Sequence, residues 1–184
     1  MMWSQLKSRI ESGFADPVRG RVEVWSTRYR RAHDEAGEGW ITLDCQRLFS
    51  AGTLAFYQGY YGRVAEFVGD GLGRAAAHAL VEQDMAARLT LPQWSFTRSL
   101  FDYLNLSIDA ILTSDNPLIR AFGMLDRRLG KRRLKALDVS GDLPLVQEFH
   151  AIRCRLEGLS PADLPRPVAG VSAVVRKAGQ GIDP

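Results

Sequence analysis

The hydrophobic pattern of the chain passes from period two to helical spacing near residue 52, and no other feature restricts the fold as much. Before that point, "GRVEVWSTRYRR" sets Val22 and Val24 in alternation with Arg21, Glu23 and Trp25, and "WITLDC" from Trp40 to Cys45 alternates in a similar way. Period two among β-branched and aromatic residues predicts strands, and the polar "AHDEAGEG" between the runs predicts an antiparallel pair joined by a loop. An isolated hairpin is marginal in water, so a third strand around Gln46 to Ala51, or a helix packed on the pair, is expected. Trp3, Leu6, Ile10 and Phe14 recur at spacings of three, four and four, which predicts an amphipathic helix as the nearest cover. Asp16-Pro17 ends it, because a residue before proline avoids the α region.

From Thr53, which stands where an N-cap belongs, the period is helical through Leu54, Tyr57, Tyr61, Val64 and Phe67, until "GDGLG" interrupts it. An alanine-rich helix follows. Thr90 and Pro92 then open a long one carrying Trp94, Phe96, Leu100, Phe101, Leu104, Ile108, Ile111 and Leu112. Pro117 behind Asn116 begins another, with Leu118, Phe122, Leu125 and Leu129 as its buried stripe and Gly130 placed for a left-handed C-terminal cap. Leu145, Phe149, Ile152 and Leu156 mark the last, which stops at Gly158. The expected fold class is therefore α+β: a small antiparallel sheet near the N-terminus packed on a helix, followed by a mostly helical C-terminal region. Residues 1–159 are expected to form a single domain, with its sheet part about 17–51 and its helical part about 53–159. The proline- and glycine-rich residues 160–184 are expected to be a flexible tail.

A chain of 184 residues with 46% hydrophobic and 24% charged residues is long and apolar enough to bury a core without disulfides or metal. Cys45 and Cys154 are far apart, without paired spacing, and read as reduced thiols. The N-terminal stretch lacks the apolar core of a secretory signal, and no stretch reaches the roughly 18 apolar residues of a membrane span. A cytoplasmic protein with no membrane partner is expected. His33, His78 and His150 have no metal-ligand spacing, so no metal or other cofactor is expected. "GDGLG" follows a helical run and lacks a subsequent GKS or GKT, which argues against a phosphate loop. No GxSxG is present, and the chain is read as non-enzymatic.

The sharpest functional lead is charge. Residues 120–135 hold seven cations against Asp126, a local charge of +6 in a chain whose net charge is +3. On a continuous helix Arg127 and Lys131, and likewise Arg128 and Arg132, share an edge beside the leucine stripe, with Lys135 further along. Arg28 and Arg30 belong to a second basic run, interleaved with Trp25 and Tyr29. The leading expectation is an interaction protein whose partner is another protein, since charge runs commonly solvate a helix face and arginine is enriched at interfaces. The alternative is nucleic-acid binding through these basic residues and stacking aromatics. The oligomeric state stays open at this level.

"MWSQLKSRIES", "GRVEVWSTRYRR", "GWITLDC", "YLNLSIDAILTSDNPLIRAFGMLDRRLGKRRLKAL" and "EFHAIRCRLEGL" together resemble an uncharacterised family of small soluble bacterial proteins, over most of residues 2–159. The resemblance implies a bacterial cytosolic origin. It implies no activity and supplies no catalytic residue.

Overall fold

A computed structural model describes residues 2–29 and 36–159. Arg30 and the expected tail at 160–184 lie outside the described residues. The elements are α1 (Trp3–Gly13), β1 (Val22–Arg28), β2 (Gly37–Leu43), β3 (Gln46–Gly52), α2 (Thr53–Gly69), α3 (Arg74–Ala87), α4 (Gln93–Leu104), α5 (Ile108–Leu112), α6 (Pro117–Leu125), α7 (Lys131–Ala136) and α8 (Pro144–Leu156). The class is α+β, a three-stranded antiparallel sheet in the order β1-β2-β3 followed by helices.

Alternation places Val22 and Val24 of β1 opposite Leu43 and Ile41 of β2, on the face that carries the core. The expected third strand is β3, joined to β2 by a two-residue turn. Asp44 and Cys45 there have φ of 49° and 66°, the pair of left-handed residues that a type I′ hairpin turn requires. α4 lies across the core face, and at Gly39 a Cβ would come 2.3 Å from the Phe96 ring. Only a glycine admits that helix so close.

β1 is an edge strand, and α1 covers it. The Glu11 carboxylate accepts from the Val24 N–H at 2.9 Å, and the Lys7 ammonium donates to the Val24 carbonyl at 3.0 Å. Backbone groups that could template another chain are thereby occupied. The end of α1 is stitched to the middle of the sequence. Ala15 N–H donates to the Leu125 carbonyl and Arg127 N–H to the Gly13 carbonyl, both at 2.9 Å, around a bridge between Phe14 and Asp126.

The main core gathers Ile10, Phe14, Val24, Ile41, Phe96, Leu100, Tyr103, Phe122, Leu125, Leu134 and Phe149 from α1, the sheet, α4 and α6–α8. A separate small cluster, Val64, Ala77, Val81 and Met85, joins α2 to α3.

Several expected helices are broken where their apolar stripe is not. The helix expected to reach Leu112 ends at Leu104, and α5 starts afresh with the Ser107 hydroxyl capping Ala110 N–H. The helix expected to reach Leu129 ends at Leu125. Gly130 has φ −69° and is the N-cap of α7 rather than a left-handed terminus. Thr53 is the first residue of α2, and its hydroxyl accepts from Gln93 N–H at the start of α4 instead of capping its own helix.

Candidate functional site

The turn between α6 and α7 is built around a buried acid. Asp126 is 1% exposed, and its carboxylate accepts from the Tyr103 hydroxyl at 2.7 Å, from Arg128 N–H at 2.7 Å and from the Arg128 guanidinium at 2.6 Å. Burial pushes this carboxyl up, but the hydrogen bonds from Arg128 and Tyr103 outweigh it and hold the group below the usual carboxylate range. The same burial raises the Tyr103 hydroxyl, and the Asp126 charge beside it adds to the effect. Arg128 also donates to the Leu106 carbonyl at 2.9 Å, so this cation fastens the α4–α5 junction to the turn.

Arg153 of α8 lies under the turn with 3% of its surface exposed. Its guanidinium reaches the carbonyls of Leu125 at 3.2 Å, Asp126 at 3.3 Å, Leu129 at 3.4 Å and Met124 at 3.5 Å. The carbonyls of Met124, Leu125 and Asp126 are acceptors that the end of α6 leaves without intrahelical donors, and that of Leu129 belongs to the turn before α7. Glu157 balances the buried charge at 2.8 Å and also holds Lys131 at 2.8 Å. Burial raises the Glu157 carboxyl, and Lys131 and Arg153 more than reverse it, to a value below its ordinary one.

The basic segment is thus largely matched within the chain. Arg128 pairs with Asp126, Lys131 with Glu157, Arg133 with Asp109, and Arg120 with Asp142. Lys135 has an interaction of its own. Arg127 and Arg132 are exposed, and their guanidinium groups have no acid partner among the described residues.

The second basic run is spread along α1. Arg19 donates to the Phe14 carbonyl and Arg21 pairs with Asp44 near the Gly13 end. Arg28 lies at the other end, beside Trp3. Trp3 and Gly13 are ten positions apart, so about 15 Å of helix at 1.5 Å rise per residue separates the end of α1 beside Arg28 from the end bonded to Arg127. Trp25, expected as a stacking aromatic, is held between the Lys7 ammonium, 3.9 Å from its ring, and Trp40, 6.3 Å away. Tyr29 is exposed.

Arg28 lines a cleft of ≈ 650 Å³ with Trp3, Leu6, Ser26, Thr27, Gln93 and Thr97. Gln93 donates to the Ser26 hydroxyl at 2.6 Å, and its carbonyl oxygen is buried without a partner. The cleft offers one cation and several hydrogen-bonding groups. Among its described lining residues there is no carboxylate, histidine or cysteine. No cluster of three or more metal-ligating side chains is present among the described residues, and no helix there is long and apolar enough to cross a membrane.

The surface that sequence reasoning missed is on α2. Of its ten exposed positions, one, Glu66, is charged. Leu54 is 64% exposed, Tyr57 38%, Tyr61 60% and Val68 42%. With Val64, which is already buried against α3, these residues are spaced three, four, three and four apart, the spacing of a helix that packs on another helix. A second row, Phe56, Tyr60 and Phe67, faces α3. The aromatics brace one another, Phe56 against Tyr60 and Tyr57 against Tyr61, with ring centroids 6.0 and 6.1 Å apart. The signal was present as two apolar rows on one helix. A single-stripe reading merged them.

No curated protein and no solved structure matches the chain. The model of the SF0329 protein family matches residues 2–154.

Proposed function

The chain belongs to the SF0329 protein family, and from that premise we propose that it is a non-enzymatic bacterial interaction protein of the cytoplasm. It binds another protein through the α2–α3 hairpin. The observation that carries this reading is the exposed α2 seam, Leu54, Tyr57, Tyr61 and Val68, on a face with a single charge. Contiguous exposed apolar surface of this kind marks a contact site, and its spacing suits an apolar helix of the partner.

The nucleic-acid reading keeps one supporting observation, the exposed pair Arg127 and Arg132, which have no acid partner among the described residues. Two such contacts make a small electrostatic footprint beside the six to ten that give tight, salt-sensitive binding. Protein contact is therefore the reading we adopt.

Photo-crosslinking in cells tests it, with a light-activated amino acid at Leu54 or Tyr61 and, for comparison, at Arg132. Protein adducts at the two α2 positions are expected. Adducts to nucleic acid at Arg132, with none to protein at Leu54 or Tyr61, would overturn the assignment.

A further inference from the structure

We infer that the cleft at the Arg28 end of the sheet binds a small carboxylic acid with an amide N–H beside its carboxylate, the chemistry of an N-acylated amino acid or a peptide C-terminus. None of its described lining residues belongs to the α2–α3 hairpin, so the inference stands apart from the contact assigned there.

The cleft exists because the core face of the sheet extends past its apolar residues. Alternation puts Ser26 and Arg28 of β1 on the face that carries Val22 and Val24, and β2 has Gly39 and Gly37 opposite them. Phe96 closes over Gly39, and a Cβ at Gly37 would come 3.2 Å from the Gln93 side chain. The space of ≈ 650 Å³ left between β1, α4 and α1 is lined by the polar groups of the first two and by Trp3 and Leu6 of the third. Small-molecule sites usually have about 300–1,000 Å³.

The polar groups sort into donors and acceptors by the hydrogen bonds they already make. On β1, the Ser26 hydroxyl accepts from Gln93 Nε2 at 2.6 Å, which leaves its own proton to donate. Arg28 is exposed and enters no ion pair among the described residues, and its planar fork fits a carboxylate. On α4, the Thr97 hydroxyl donates to the carbonyls of Gln93 and Trp94 and is left to accept. Gln93 is 1% exposed, and its amide oxygen is buried without a donor. An acceptor in that state costs about 1–3 kcal/mol, which a ligand N–H would relieve.

This division selects the ligand. Inorganic phosphate would satisfy Arg28 and Ser26 but leave the Gln93 oxygen unmatched. A free amino acid would bring an ammonium, and the described lining residues hold no carboxylate to balance it. A neutral amide N–H next to a carboxylate satisfies both walls, while Trp3 and Leu6 offer apolar surface to the side chain between them.

Titration of the full chain with N-acetyl-L-leucine, followed by nuclear magnetic resonance, tests the inference. Shifts at the Ser26, Thr27 and Thr97 amides are expected, and Arg28→Gln should weaken binding about tenfold or more. Arg28 is exposed, so the variant keeps the fold, which the rest of its spectrum verifies. The ester analogue of the probe, with oxygen in place of the N–H, should also bind about tenfold more weakly, with no change to the protein. Tighter binding of a peptide ending in leucine would support a chain terminus as the source, and equal or weaker binding a free small molecule. No shift in the cleft with roughly 10 mM of either compound overturns the inference. Binding indifferent to Arg28→Gln or to the ester analogue overturns it as well, and so does phosphate or free leucine binding as tightly as the acylated acid.

Discussion

At the scale of single residues, the basic segment changes meaning once its acids are located. The sequence "MLDRRLGKRRLKAL" displays its cations openly. That Tyr103 covers Asp126 from 23 residues away, that Glu157 reaches Lys131 across 26, and that Arg153 reaches the carbonyls of Met124 and Leu129 across 29 and 24 are contacts that local pattern does not encode. Arg153, which no sequence pattern singles out, supports the whole α6–α7 turn. Replacing it with methionine should cost about 3–5 kcal/mol, since it leaves Glu157 with a half-matched buried charge and several carbonyls without donors. Urea unfolding monitored by circular dichroism measures this. Arg153→Lys should recover only part of the loss, because an ammonium cannot span the four carbonyls. A loss for Arg153→Met below 1 kcal/mol would mean that water replaces the guanidinium.

Among elements, alternation located β1 and β2 and the register face, and the third strand followed from the weakness of a lone hairpin. The β2–β3 turn was not legible, because Asp44-Cys45 lacks the glycine that usually announces a type I′ turn. Cysteine at φ 66° carries a Cβ in the left-handed region, at a cost of about 1 kcal/mol. Cys45→Gly should therefore raise stability by about that amount and move the denaturation midpoint up without altering the slope. An unchanged or lower midpoint would show that the turn is held without strain, with the Arg21–Asp44 pair as the holding contact. The broken helices teach a related lesson. Ile108 and Leu129 continue the stripes of the helices before them because both sides of each break face one core. Apolar periodicity reports which residues are buried, and here it outlasts the backbone hydrogen bonding that defines a helix.

For the molecule as a whole, the two apolar clusters predict two levels of protection. In dilute solution, amides of Val81 and Met85 in α3 should exchange with deuterium through local opening. Those of Val24, Ile41 and Phe122 should exchange only on global unfolding. Uniform protection at low concentration would mean that the hairpin needs no further cover. The helix with the most exposed apolar surface, α2, belongs to the smaller of the two clusters. The stitch between Gly13–Ala15 and Leu125–Arg127 divides the chain in time as well as in space. At roughly 5–20 residues per second, a ribosome needs on the order of ten seconds to make the residues that separate the two halves of that stitch. Through that interval the newborn N-terminal helix waits with Leu6, Ile10 and Phe14 uncovered by their later partners. The first of the described helices to be synthesised is thus among the last to be locked in place.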